Sequence, residues 1–140
     1  MFPTSHYFQK IFLNMLRAKV LPEVLGQIVG DGVNACMLMT LEGALVGSVG
    51  DGETVDHKVV GAIASHTWGE YLHAGKEANP TGDLRTMLVE LERGRLAMTV
   101  AGKSFLLCAY SGADAPAGLL KAKVEALGTY LSTSLDQIEM

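Results

Sequence analysis

His66, Glu70 and His73 fall in one stretch in the order His-x-x-x-Glu-x-x-His, a pattern that raises metal binding or general acid–base chemistry. Imidazoles seven residues apart on a helix are separated by roughly 10 Å, at a rise of about 1.5 Å per residue. Bonds to one ion are about 2 Å long, so the pair does not close on a single metal. As a base, His66 would need a nucleophile or an orienting carboxylate aimed at it, and its helical neighbours are Glu70 and His73. No metal is expected.

Two glycine-bearing stretches bear on phosphate chemistry. In "AGKS" (101 to 104) the order Gly102, Lys103, Ser104 matches the end of a phosphate-binding loop, but the earlier glycine is replaced by Ala97. That loop must open a helix, whereas "SFLLCAYS" (104 to 111) reads as a strand, so a two-residue hairpin turn is expected. "GSVGDGE" (47 to 53) lacks the Gly-x-Gly-x-x-Gly order. Asp51 and Glu53 would repel phosphate while suiting the start of a helix, so it reads as a turn and cap. Ser48, Ser65, Ser104 and Ser111 occupy no nucleophile-elbow context. No catalytic residue and no cofactor is expected.

Cys36 and Cys108 sit inside apolar runs with no second cysteine at metal or redox spacing. They are expected to be free thiols in the core, in a reducing compartment.

The elements that would position these residues follow from periodicity. Leu16, Val20, Val24 or Leu25, and Ile28 are helically spaced, giving a helix over about 16–29 that Pro22 either kinks or nearly opens. After Gly30-Asp31-Gly32, "VNACMLMT" (33 to 40) and "LVGSV" (45 to 49) form a hairpin around residues 41–44. The first strand is apolar on both faces, so both faces need cover. A helix over about 55–73 ends at Gly75, before an Asn79-Pro80-Thr81-Gly82 loop. "LRTMLVELE" (84 to 92), "RLAMTVA" (95 to 101) and "SFLLCAYS" make an antiparallel meander. Asp114-Ala115-Pro116 then opens a helix carrying Leu120, Val124, Leu127 and Leu131. The expected fold is α/β of the α+β kind: one five-stranded antiparallel sheet with helices on both faces, in the order α-β-β-α-β-β-β-α.

Plotted at about 100° per residue, the helix over 55–73 has one narrow polar arc, holding Asp56, Thr67 and Glu70 together with Ile63. The rest is apolar or small, about twice the width a helix lying on one sheet needs. This helix is therefore expected to face two surfaces, the second belonging to a partner. Gly61, Ser65 and Gly69 recur every fourth residue along it, with Ala62, Trp68 and Leu72 beside them. Such a line admits a second helix closely, and Ser65→Trp is expected to leave a folded chain that cannot pair. "LRTMLVELE" is the expected edge strand, with Leu84, Thr86 and Leu88 at the partner contact.

Composition agrees with a covered face. Over 140 residues, apolar types make up 49% and charged types 19%, against about 25% charged in an ordinary domain. The length suits a single domain. A net charge of -4 with scattered Lys and Arg provides no phosphate-tracking stripe, which argues against nucleic acid. No apolar stretch approaches the roughly 20 residues a bilayer span needs.

"AIASHTW" (62 to 68), "RGRLAMT" (93 to 99) leading into "FLLCAYS", and "LLKAKVEALGTYL" (119 to 131) together resemble the roadblock family. The likeness runs from about Met15 to the C-terminus, leaving 1–14 as an N-terminal extension and 15–140 as the roadblock domain. It implies a non-catalytic adaptor that pairs with a second roadblock subunit, strand edge to strand edge and central helix to central helix. It further implies membership of a larger Ragulator-like assembly with Rag-type GTPases. That assembly would serve TOR and MAP kinase signalling from the cytoplasmic side of late endosomes and lysosomes, without membrane insertion of this chain. The same family also contains self-pairing regulators of small GTPases and dynein light chains.

Overall fold

A computed structural model describes residues 20–53, 55–75 and 82–139. The elements are α1 (Leu21–Gly26), β1 (Val33–Thr40), β2 (Leu45–Gly50), α2 (His57–Gly75), β3 (Thr86–Leu91), β4 (Gly94–Ala101), β5 (Phe105–Gly112) and α3 (Ala117–Glu139). The expected element order is the observed one.

Several boundaries differ for local reasons. Within α1, Pro22 stands in the first turn, where a missing N–H leaves no bond unmade; residues before 20 lie outside the described ones. The start of α2 falls two residues later than expected because Asp56 is its cap: Oδ1 accepts the amides of Lys58 (3.1 Å) and Val59 (3.2 Å). The β4–β5 connection is Gly102-Lys103-Ser104, closing on an Ala101–Phe105 pair, so the turn is one residue longer than expected. Gly102 has φ 68°, a conformation that glycine reaches without penalty.

The sheet runs β2-β1-β5-β4-β3, every neighbour antiparallel. Because side chains alternate across a strand, β1, β4 and β5 supply two cores at once. One holds Cys36, Leu38, Ala97, Leu107 and Ala109 beneath Leu21 and Leu25 of α1 and Leu120, Val124, Leu127 and Leu131 of α3. The other holds Met37, Met39, Leu96, Met98, Leu106 and Cys108 beneath Ala64 and Trp68 of α2. A sheet apolar on both faces thus becomes the middle of three layers.

The chain turns from α1 into β1 through Gly30, Asp31 and Gly32, all at positive φ. Lys123 of α3 stabilises that turn, donating to the carbonyls of Ile28 (3.2 Å) and Gly30 (3.1 Å) and lying 3.6 Å from the Asp31 carboxylate. Both carbonyls lie beyond the end of α1, and that of Gly30 also accepts the Val33 amide at 2.9 Å, so the ammonium joins α3 to the turn rather than capping the helix. Arg95 does the same for the loop into α3, donating to the carbonyls of Ala113 and Ala115 while contacting Glu90.

Candidate partner interface

Of the nine residues expected at the partner contact, the six on α2 divide by the rotation of that helix. Gly61, Ser65 and Trp68 face the chain's own sheet. A Cβ at Gly61 would stand 3.4 Å from the thioether of Met39. The Ser65 hydroxyl donates to the Leu41 carbonyl at 2.8 Å, and the Trp68 ring is in the core at 3% exposure. Ala62 and Gly69 are on the exposed side, and Leu72 is 39% exposed. The small-residue line is therefore not a single outward seam: two of its members let α2 approach its own sheet. A tryptophan at position 65 would enter that contact rather than block a partner.

The exposed face of α2 also carries large apolar residues outside those nine. Ile63, placed in the polar arc, is 55% exposed, and Val59, one turn earlier, is 53% exposed. Tyr71 near the end of α2 is also exposed. The available signal was Ile63 itself, a large aliphatic among Asp56, Thr67 and Glu70. Val59 and Ile63, one turn apart, thus leave an exposed apolar stripe on this side of the helix.

The three strand residues lie at the sheet edge. Leu84, just before β3, packs partly buried on the α2 side. Thr86 is opposite in facing, its hydroxyl donating at 2.6 Å to Glu125 of α3. Leu88 pairs across from Ala97, so it shares the α3 side, and it is exposed. Among the described residues β3 pairs with β4 alone and β2 with β1 alone. Each edge strand therefore presents a row of backbone groups on its outer side.

The candidate chemistry resolves into structural contacts. His66 Nε2 lies 3.9 Å from Glu70 Oε1 with both side chains largely exposed. His57, which is not among the expected site residues, has both ring nitrogens bonded: Nδ1 is 2.8 Å from Ser48 Oγ and Nε2 2.9 Å from the Asp51 carbonyl oxygen. With Nε2–H donating to that carbonyl, Nδ1 accepts from the serine hydroxyl, and the ring staples β2 to the start of α2. Among the described residues no three His, Cys, Asp or Glu side chains gather as metal ligands, and no helix is long and apolar enough to cross a membrane. Cys36 and Cys108 are both free and buried.

Residues 26–111 match the model of the Roadblock/LC7 domain family. Over 118 residues the chain is 31% identical to the Ragulator complex protein LAMTOR2 homolog of Caenorhabditis elegans, covering 84% of this chain and 90% of that protein. Among solved structures, MglB of Myxococcus xanthus is similar with a TM-score of 0.74 at 15% identity, over 84% of this chain and 89% of that one. A Roadblock/LC7 domain from Streptomyces avermitilis has a TM-score of 0.72 at 21% identity, over 82% and 97%. At these identities the structural likenesses establish the fold.

Proposed function

The chain belongs to the Roadblock/LC7 family, and from that premise we propose that it is a non-catalytic adaptor subunit of a Ragulator-like scaffold. The observation that carries this reading is the 31% identity to a Ragulator protein across 84% of this chain and 90% of that relative. In this role it pairs with a second roadblock subunit through the exposed face of α2 and the open edge of β3. The pair lies in the cytoplasm, held peripherally on late endosomes or lysosomes by other subunits, and supports Rag GTPase, TOR and MAP kinase signalling.

The physical support is surface chemistry. Val59 and Ile63 are half exposed on the central helix, and a strand edge stands open beside the same layer. Covering both in one contact joins apolar burial to backbone hydrogen bonding, and an interface of about 1,600 Å² in total suffices for a stable pair.

Purification of the tagged chain from its own cells, followed by mass spectrometry and sizing, tests the reading. A one-to-one complex with a different roadblock chain is expected. A homodimer that accelerates GTP hydrolysis by a small GTPase would replace it with a GTPase regulator. Binding to a dynein intermediate-chain peptide would replace it with a dynein light chain.

A further inference from the structure

A groove of about 340 Å³ runs between the turn after β1 and the flank of α2. Its base is the Ser65–Leu41 hydrogen bond, and Gly43, Ala62 and Gly69 leave it open by having almost no side chain. Glu42, His66 and Glu70 complete the lining.

Two properties of the groove point outward from this chain. Gly69 is interior to α2, where glycine is unfavourable relative to alanine, yet a Cβ there would meet nothing within 4 Å. Among the described residues no contact requires that glycine; what it leaves is room for a group arriving from outside them. The charge is also one-sided, since two carboxylates border the groove and none of its lining residues is Lys or Arg. The His66 ring, 3.9 Å from Glu70, neutralises that charge only when protonated.

We propose that this groove receives an arginine side chain of the partner subunit. The inference rests on the pairing reading above and deepens it. Ala62 and Gly69 belong both to the groove and to the exposed side of α2, so a helix or loop lying on α2 passes over the opening. A guanidinium is planar, carries five N–H donors and can engage two carboxylates, while its aliphatic stem lies along Leu41 and Ala62. Arginine is also enriched at the cores of protein interfaces.

The test uses the complex of this chain with the roadblock subunit that co-purifies with it, and measures Kd by calorimetry at low and at physiological salt. Glu42→Gln with Glu70→Gln is expected to weaken pairing about tenfold at low salt, by a margin that shrinks as salt screens the wild-type contact. Gly69→Leu fills the groove without changing charge, and is expected to weaken pairing at every salt concentration while leaving the thermal melt of the isolated chain no lower than wild type. An unchanged Kd for the double Gln variant at low salt overturns the arginine proposal and leaves the pairing reading intact. Failure of the wild-type chain to bind any roadblock subunit overturns both.

Discussion

Ser65 Oγ donates a 2.8 Å hydrogen bond to the Leu41 carbonyl oxygen, tying the middle of α2 to the turn between β1 and β2. Ser65→Ala removes the donor and is expected to cost about 1 kcal/mol in urea unfolding. Ser65→Trp forces a large ring into a position only 7% exposed and is expected to lower stability by about 1–3 kcal/mol or more. A Trp variant as stable as wild type would show that this side of α2 does not lie on the sheet.

Trp68 contributes its ring to the core between α2 and the sheet at 3% exposure. Trp68→Ala removes that packing and leaves a cavity, for an expected loss of about 3–5 kcal/mol. Equilibrium denaturation monitored by circular dichroism measures it. A loss below about 1 kcal/mol would place the ring at the surface instead.

Ile63 is 55% exposed on the opposite side of the helix. Ile63→Lys is expected to change the stability of the isolated chain by no more than about 0.5 kcal/mol while disrupting the subunit pair on a sizing column. Retention of the complex would remove this face from the interface.

Thr86 joins β3 to α3 through Glu125 at 2.6 Å. That bond, followed by the one from Lys121, holds the Glu125 carboxyl below its ordinary value of 4.5. A depressed carboxyl contributes stability that is present above its unfolded value and lost as pH falls through the folded one, so the loss falls below about pH 4.5. In a carboxyl NMR titration, Thr86→Val is expected to move the Glu125 midpoint up toward the ordinary value. An unmoved midpoint would show that the hydroxyl does not hold the carboxylate.

Cys36 and Cys108 lie on neighbouring strands but enter opposite cores: Cys36 pairs across from Ala109 and Cys108 across from Met37. They cannot bridge, and burial raises both thiols, Cys108 to about 12. A raised thiol contributes stability that is complete below its unfolded value and lost as pH climbs, here above the ordinary value of 9.0. Thiol reagents are expected to modify the native chain only as fast as it opens, and oxidants to form no internal disulfide. Rapid modification at neutral pH would contradict the burial of both.

Periodicity and turn chemistry in the sequence already determined the element order, the two-sided apolarity of β1, the thiols as core residues and β3 as a sheet edge. Those features depend on neighbours within a few residues or on the alternation of a strand, both written locally. Tertiary structure decided the rotation of α2. A helical wheel establishes which residues share a face, but not which face meets the sheet. Small residues do not resolve it, because a glycine or serine admits a sheet as readily as a partner helix. The choice came from contacts distant in sequence, Ser65 with Leu41, Gly61 with Met39 and Trp68 among the strand residues. Together they turned Ile63, from the arc that the sequence alone had suggested as polar, outward beside Val59 from the neighbouring apolar arc, leaving an exposed apolar stripe.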